Sequence, residues 1–491
     1  MSKCKALLFI VLLLSAGEVW ADEPESAPQQ TVTEALAKLA IETPPEALTE
    51  AARHAARRAV MDAIGCALAG HDAPGVKPVV EQMLDWGGKP EATVWGSGQK
   101  LPAPAAAFVN STMTHALDLD DVHIPTTVHI TSTIVPAAFA VGQAEGASGE
   151  QVIEAIILGI EVTGRLGVPF KQHKQHGGFL PSSIIGGFGA TAAACRLKGL
   201  TAQQTVDAMG IFYAQASGNR QALFDRTLTK RIQPAIAARA AVVAASLAQR
   251  GMTGPHEAVE GEAGLARIYG QCKGKPITAA DVIGPRDFFE VERIGYKRWA
   301  CCGWAHYLLK ATLDLITEHD LKPADIAEVE LFGVGVNGGV VGVPWQQTDT
   351  PQPMAQFCAP YEVASLIHNR RFGPAEIEPE RIVNDKAVDA FATERVTLRH
   401  AKQFGGKYPG GHVVRLTLTD GRTLVESEPT RKLFAPEAFS DEDLTAKFKY
   451  NAEYSKLVPA EKIDAMADDL WRLEHFEKIS DFVTKYLALS N

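Results

Sequence analysis

The stretch Gly186-Gly187-Phe188-Gly189-Ala190 decides the fold class, because it places three glycines and an alanine inside a longer helical pattern at 184–198. Small side chains let helices pack at short interaxial distances. Ala-rich helical patterns recur at 46–69, 102–117, 134–147, 150–166, 202–217 and 233–250. Prolines near three helix starts (Pro136, Pro181 and Pro234) fit the first turn, where a missing N–H costs nothing. The sequence therefore predicts an all-helical domain over residues 22–284.

The sequence pattern changes after Gly284, where β-prone runs appear. A strand is predicted at Ala327–Leu331, and two more flank Asp420-Gly421, which is a strong hairpin signal. Helical patterns at Ala305–Glu318 and Tyr361–His368 interrupt these strands. Residues 285–433 are therefore predicted to form a smaller α+β lid domain.

Helical periodicity returns over Asp441–Leu489. We expect residues 434–491 to pack back on the helical domain, which would then be discontinuous in sequence. The predicted fold class is mainly α: an all-helical domain plus a smaller α+β lid domain.

Length and charge narrow the class of protein. A chain of 491 residues exceeds the roughly 250–300 residues that one hydrophobic core supports. With 46% hydrophobic and 22% charged residues, its composition is that of a packed enzyme. The net charge of −10 (48 − 58), without a block of like charges, argues against a nucleic-acid partner.

The N-terminus has the features of a secretory signal peptide. Lys3 and Lys5 precede an apolar run at Ala6–Ala16, and Val19-Trp20-Ala21 offers a small residue for cleavage. We predict a signal peptide at residues 1–21 and a periplasmic or secreted mature protein, without membrane association after cleavage. An uncleaved anchor is the alternative.

The densest polar cluster in the sequence runs from His115 to His129, with three carboxylates and three histidines within 15 residues. One interpretation is acid/base catalysis, with Asp118 orienting His129 so that its imidazole transfers a proton near neutral pH. The other is a metal-dependent hydrolase with Asp118, Asp121, His123 and His129 as ligands, although no HExxH spacing is present. Helix capping would account for only one or two of these residues.

Two further clusters carry cations. The segment Asn219–Arg231 contains Lys230 and Arg231, and Lys297-Arg298 precede Cys301-Cys302 and His306. Together they would suit a small polyanion held between two domains.

The Gly-rich motif Gly333-Val-Gly335-Val-Asn-Gly338 has the residue spacing of the dinucleotide-binding fingerprint but not its structural context. Val340, Val341, Val343 and Pro344 follow it instead of a helix, so no helix N-terminus is expected to hold a pyrophosphate. No cofactor is predicted.

The chain resembles the MmgE/PrpD family, whose members include 2-methylcitrate dehydratases, cis-aconitate decarboxylases and iminodisuccinate epimerases. The resemblance rests on an ordered set of motifs: 59–70, 115–121, 186–190, 215–218, 229–231, 301–306 and 359–364. It implies a cleft between a helical domain and a lid, a homodimer, and catalysis without metal or organic cofactor. The implied substrate is a small di- or tricarboxylate, and the implied enzyme is a carbon–oxygen or carbon–carbon lyase or an epimerase.

The resemblance also implies site residues. By motif position Asp118 and His129 resemble family active-site residues, as do Lys230, Lys297 and Tyr361. We predict proton transfer by His129, with Tyr361 or His306 serving a second proton. The predicted substrate-binding residues are Arg231, Lys297, Arg298, His123 and Gln215.

Two positions depart from the family pattern: Leu180 and Gln233 stand where members commonly have histidine. Leucine can neither transfer a proton nor bind a carboxylate. An exported, non-catalytic carboxylate-binding protein is therefore an alternative, and an effector role is a more remote one.

Overall fold

Helices dominate the computed structural model, which describes residues 30–172, 178–270, 276–333, 340–404, 412–428 and 432–489. The helices of the first half are α1 Val32–Glu42, α2 Glu50–Gly70, α3 Val76–Trp86, α4 Ala103–His115, α5 Thr131–Glu145, α6 Gly149–Gln172, α7 Pro181–Leu197, α8 Ala202–Tyr213, α9 Gln221–Phe224, α10 Thr229–Gln249, α11 Leu265–Ile268 and α12 Ala279–Ile283. The predicted helical character of this half is confirmed.

The glycines of α7 allow its backbone to lie in close contact with two neighbouring helices, α6 and α8. A Cβ added at Gly187 would lie 1.9 Å from Cζ of Phe212 in α8. A Cβ added at Gly189 would lie 2.1 Å from Oγ1 of Thr163 and 2.2 Å from the carbonyl oxygen of Gly159, both in α6. Since real Cβ atoms do not approach other atoms so closely, α6, α7 and α8 can reach these separations only with glycine at both positions.

Two helices begin earlier than predicted. α5 begins at Thr131 and α10 at Thr229, so Pro136 and Pro234 lie inside their helices rather than at the first turn. Pro136 leaves the carbonyl of Ser132 without its helical donor, and Ser111 Oγ donates to that oxygen at 2.5 Å. The earlier start places Lys230 in the first turn of α10.

α10 is also long and apolar enough to cross a membrane, as judged by length and composition alone. However, 61% of the most apolar 18-residue stretch of α10 is buried inside the fold, where the helix packs against α4, α7 and α8. This burial is typical of a core helix.

Most of the strands lie in the second half of the chain. The strands are β1 Ala92–Thr93, β2 Lys100–Leu101, β3 Val122–His123, β4 Ile294–Gly295, β5 Ile326–Phe332, β6 Val396–Arg399, β7 His412–Leu418 and β8 Thr423–Glu428. A four-stranded sheet has the order β6-β5-β7-β8, in which only β5 and β6 are parallel. The predicted Asp-Gly hairpin is confirmed, with Gly421 at φ 88° in its turn.

The remaining helices are α13 Gly303–Glu318, α14 Pro351–Gln356, α15 Ala359–Asn369, α16 Pro379–Asn384, α17 Lys386–Glu394, α18 Asp441–Ser455, α19 Ala460–Leu470 and α20 Ile479–Tyr486. α13 covers β7 and β8. The predicted fold class, mainly α with a smaller α+β region, is confirmed.

The C-terminal helix α18 packs against α2. Lys447 Nζ in α18 lies 2.6 Å from Oδ1 of the buried Asp62 in α2 and donates at 2.9 Å to the carbonyl of Leu119. Residues Thr31–Asn491 cluster as one unit by their contacts, and the domain boundaries at 284 and 433 stay predictions. The predicted signal peptide and most of the Gly-rich motif lie outside the described residues.

Candidate active site

The site is built on the loop between α4 and β3, residues 116–121, which is called the acidic loop because it contains Asp118, Asp120 and Asp121. α4 ends at His115, and the chain turns into β3 with Asp118 in the left-handed region at φ 51°, which non-glycine residues rarely adopt. β3 pairs with β4 through Val122 and Gly295. This pairing brings Lys297, two residues beyond β4, to the acidic loop.

Asp118 binds two ammonium groups. Lys297 Nζ lies 2.9 Å from Oδ2 of Asp118 and 2.6 Å from its carbonyl oxygen, and Lys230 Nζ donates to Oδ1. Burial alone would raise the pKa of Asp118, but the two lysines outweigh it and hold that pKa well below its usual range. Lys297 is fully buried, yet Asp118 and Asp120 raise its pKa, so it stays an ammonium.

A second chain of hydrogen bonds joins Lys230 to Asp120 through His115. Burial lowers the pKa of His115 to about 4, so its ring is neutral at pH 7. Its Nδ1 lies 2.8 Å from Oδ2 of Asp120 and its Nε2 lies 2.6 Å from Lys230 Nζ. Since an ammonium can only donate, Nε2 accepts from Lys230 and Nδ1–H donates to Asp120.

His129 shares the same carboxylate. Its Nδ1 lies 3.4 Å from Oδ2 of Asp120, and its ring centroid lies 4.9 Å from that of His115. Despite burial, the pKa of Asp120 is far below its usual value, because His115 and His129 surround it. The sequence predicted Asp118 as the carboxylate that orients His129. In the structure this carboxylate is Asp120, because Asp118 is bound by two lysines.

A cavity of about 530 Å³ opens onto this cluster. His129, with 17% of its side chain exposed, and Lys297 contribute to its wall. The other lining residues are Val122, Ile124, Thr127, Lys171, Cys302, Gly303, Trp304, Tyr307, His412 and Phe434. The volume lies within the range of ~300–1,000 Å³ typical of small-molecule sites.

Asp121 lies beside this cluster but plays a different part. It accepts hydrogen bonds from the backbone N–H of Thr131, at 3.1 Å, and from the Thr131 hydroxyl, which anchors the start of α5. Burial and the charge of Asp120 raise its pKa to about 8.

The structure does not bring two of the predicted catalytic residues into the cluster. The Tyr361 hydroxyl donates to the carbonyl of Glu376 at 3.0 Å, and its ring packs against Trp345. His306 Nε2 lies 3.1 Å from the carbonyl of Trp299, and burial lowers its pKa well below its usual value. Neither residue lines the cavity.

Three of the predicted substrate-binding residues also lie elsewhere. Arg231 donates to the side chains of Gln352 and Gln356, at 3.1 and 3.3 Å. Arg298 donates to the carbonyl of Ala438 at 2.8 Å. Gln215 lies exposed at the end of α8.

The fourth, His123, is wholly enclosed. Its Nδ1 lies 2.8 Å from Oγ1 of Thr126 and its Nε2 lies 2.9 Å from Oε2 of Glu290. Because both ring nitrogens already have hydrogen-bond partners in the protein, His123 has no nitrogen left to bind a substrate.

One set of residues has the donor chemistry of a metal site: His115, Asp118, Asp120 and His129 offer ligand atoms within 4.8 Å of one another. The ammonium of Lys230 already bonds to two of them. A cation there would have to displace it. Of the four metal ligands predicted from sequence, Asp118 and His129 belong to this set, whereas Asp121 and His123 are held by Thr131 and Glu290.

Three residues of the site, His115, Asp120 and His412, have no role predicted from the sequence. His115 and Asp120 lie in the polar cluster from His115 to His129, where spacing alone could not distinguish the three carboxylates. His412 opens β7 and lines the cavity. It follows no motif, so nothing in the sequence marked it.

Family models and relatives match most of the chain. The MmgE/PrpD N-terminal domain model matches residues 34–277 and the MmgE/PrpD C-terminal domain model matches residues 299–473. A cis-aconitate decarboxylase-like protein, oryM, from Aspergillus oryzae is 24% identical over 480 residues, covering 94% of this chain and 98% of the relative.

Two proteins named cis-aconitate decarboxylase are also similar. The one from Aspergillus terreus is 30% identical over 274 residues, or 53% of this chain and 55% of the relative. The one from Homo sapiens is 24% identical over 457 residues, or 89% of this chain and 90% of the relative.

Proposed function

Because the chain belongs to the MmgE/PrpD family, we propose that it is a lyase or epimerase that transfers a proton at the carbon next to a carboxylate. The substrate is a small carboxylate related to cis-aconitate, on which similar proteins are named to act. Dehydration, decarboxylation and epimerisation all share this proton transfer.

His129 is the group proposed to move the proton. It lines the cavity, and its Nδ1 faces the charged Asp120, which stabilises the imidazolium that forms when Nε2 accepts a proton. The neutral His115 fixes Asp120 from the other side, at 2.8 Å. General acid–base catalysis of this kind contributes ~10²–10⁴-fold in rate.

Lys297 is proposed to stabilise the charge that develops as the C–H bond breaks. The electron pair of that bond moves into the neighbouring carboxylate, which gains negative charge in the transition state. A buried ammonium at the cavity wall is worth more there than in water, because no solvent screens it. Asp118 keeps this ammonium in place.

In dehydration the intermediate expels a hydroxyl group, which leaves as water with a proton from the site. In epimerisation the proton returns to carbon on the opposite face. In decarboxylation a C–C bond breaks in place of the C–H bond: its electron pair stays on carbon as CO₂ leaves, and that carbon takes a proton from the His129 imidazolium. The observation that carries the proposal is the pairing of His129 and Lys297 in one cavity wall.

A proton NMR experiment in D₂O tests the proposal directly. Wild-type protein is incubated with a panel of di- and tricarboxylates, including cis-aconitate. We expect deuterium to enter the carbon next to a carboxylate for at least one acid, whichever reaction follows. The absence of exchange and turnover across the panel, with binding retained, would favour the carboxylate-binding alternative suggested by Leu180 and Gln233.

The variant Lys297→Met tests the charge-stabilising role. Loss of the ammonium should slow exchange by ~10²–10³-fold, the effect of removing one oxyanion donor. Lys310→Met is the matched control, since Lys310 pairs with Asp314 on α13, outside the cavity lining. Equal rates in both variants would contradict the role of Lys297.

Two further proposals concern the context of the enzyme. We propose that it functions as a homodimer, which sedimentation would test. We also propose export to the periplasm or outside of the cell, which the apolar run at 6–16 supports. N-terminal sequencing of the mature protein should begin at Asp22.

A further inference from the structure

The cavity has an aromatic wall, defined here as Trp304, Tyr307, His412 and Phe434. Trp304 and Tyr307 come from α13, and His412 opens β7. The His412 ring stacks on Tyr307 with 4.8 Å between centroids and 10° between planes. Phe434 meets Tyr307 edge-on at 5.6 Å. None of these four residues was assigned a role above.

His412 is buried, and among the described residues its ring has no hydrogen-bond partner. The residue is 1% exposed, and neither Nδ1 nor Nε2 has a hydrogen-bond partner in the described part of the chain. Gly333, at φ 151°, makes room for it, since a Cβ there would lie 2.6 Å from Cδ2 of His412. Buried polar groups are nearly always hydrogen-bonded, so this ring has a donor and an acceptor for a ligand.

The aromatic wall offers no charge to a carboxylate. Burial lowers the pKa of His412 to about 4, which keeps the ring neutral. The described cations of the lining are Lys171 on α6 and Lys297 after β4, and neither belongs to the aromatic wall. A carboxylate is therefore expected at these lysines, and an uncharged group against the aromatic wall.

We propose that the aromatic wall is a subsite for an uncharged end of the substrate, and that His412 hydrogen-bonds this end. The substrate class is then a carboxylic acid with its reacting carboxylate near Lys297 and a neutral planar or amide-like group at its other end. This inference rests on the proposed function for the position of the reacting end. It makes His412 a specificity-determining residue.

Three probes with one succinate head test the subsite by calorimetry. They are 2-benzylsuccinate, tricarballylate, and the tricarballylate monoamide whose carboxymethyl arm is neutral. Wild-type protein should bind the benzyl and amide probes at least tenfold more tightly than tricarballylate. Tricarballylate binding as tight as or tighter than the other two would overturn the proposal.

The variant His412→Phe retains the stacked ring and removes only its hydrogen bonds. We expect the amide probe to lose about tenfold in affinity, as for one hydrogen bond, while the benzyl probe is unchanged. His319→Phe, at an exposed position at the end of α13, is the matched control and should change neither. Equal losses for both probes in His412→Phe would contradict a hydrogen-bonding role.

A second variant keeps the test open if His412→Phe does not fold. Trp304 is 48% exposed, so Trp304→Lys should be tolerated, and it adds a cation to the aromatic wall. It should shift the affinity ratio toward tricarballylate, and an unchanged ratio would overturn the subsite. Deuterium exchange by wild-type protein reports the proposed function separately, because probe binding requires no turnover.

Discussion

Two buried charged clusters contain histidines from the same short segment, and they differ in what surrounds them. The open cluster consists of His115, Asp118, Asp120, His129, Lys230 and Lys297. The closed cluster consists of His123, Glu161, Arg165, Arg286 and Glu290. Only the open cluster meets the large cavity.

In the closed cluster the charged groups pair with one another and with backbone groups. Glu290 binds His123, Arg286 and Arg293 through its carboxylate, and its backbone N–H donates to Glu161 at 2.6 Å. Arg165 donates at 2.9 Å to two backbone carbonyls. Burial lowers the pKa of His123 to about 3.

In the open cluster one imidazole lines the cavity and has only a weak partner. His129 Nδ1 lies 3.4 Å from Asp120 Oδ2, and its side chain is 17% exposed. Burial and perturbed pKa values are therefore common to both clusters. The clusters differ in access, because only the open cluster places an imidazole at the cavity.

The largest expected effect of a single change on stability lies in the closed cluster. Glu290→Ala leaves Arg286 and the His123 ring without their buried partner, so the free energy of unfolding should fall by about 3–5 kcal/mol. Urea denaturation measures it, with Glu318→Ala at an exposed position as control. A loss below ~1 kcal/mol would show that the closed cluster does not hold the fold.

A smaller effect per pH unit is expected at Asp121, which borders the open cluster. Burial and the charge of Asp120 raise its pKa from the ordinary 3.8 to about 8, so the folded protein binds more protons than the unfolded chain between these pH values. Stability from this group is therefore present at low pH and lost as pH rises toward 8, with a slope of up to ~1.4 kcal/mol per pH unit.

Asp121→Asn should remove that slope, because the amide does not titrate. Thermal unfolding at a series of pH values, on wild type and variant, measures the difference. A parallel pH dependence in the two proteins would mean that Asp121 is ionised in the fold, and that the two neighbouring aspartates do not differ as described.

The smallest expected effect is none. Because Lys230 already bonds to His115 and Asp118, we expect the open cluster to act without a divalent cation. Washing with a chelator should leave turnover unchanged, and elemental analysis should find no stoichiometric metal. Loss of activity with recovery on metal addition would support the metal-dependent alternative instead.

Much of the fold could be predicted from sequence because its signals are local. The Ala- and Gly-rich patterns and the Asp-Gly hairpin depend on neighbours within a few residues. The helix starts at Thr131 and Thr229 were missed because Pro136 and Pro234 look like first-turn prolines. At Pro136 a tertiary contact compensates for the lost helical hydrogen bond, because the Ser111 hydroxyl donates to the Ser132 carbonyl.

The candidate site was predicted in part. Asp118, His129, Lys230 and Lys297 lie in one cluster, although they come from three separate segments of the chain. His123 was assigned to substrate because its partner Glu290 lies 167 residues away in sequence. No spacing rule could reveal that contact.

One paired measurement tests most directly whether the open cluster performs the chemistry and the closed cluster does not. The same substitution is made at both histidines, and turnover and unfolding are measured for His129→Gln and His123→Gln. We expect His129→Gln to lose ~10²–10⁴-fold in kcat with unchanged stability. His123→Gln should lose about 1–3 kcal/mol of stability with unchanged kcat per folded molecule. Full turnover in His129→Gln, or the reverse pattern, would contradict the account.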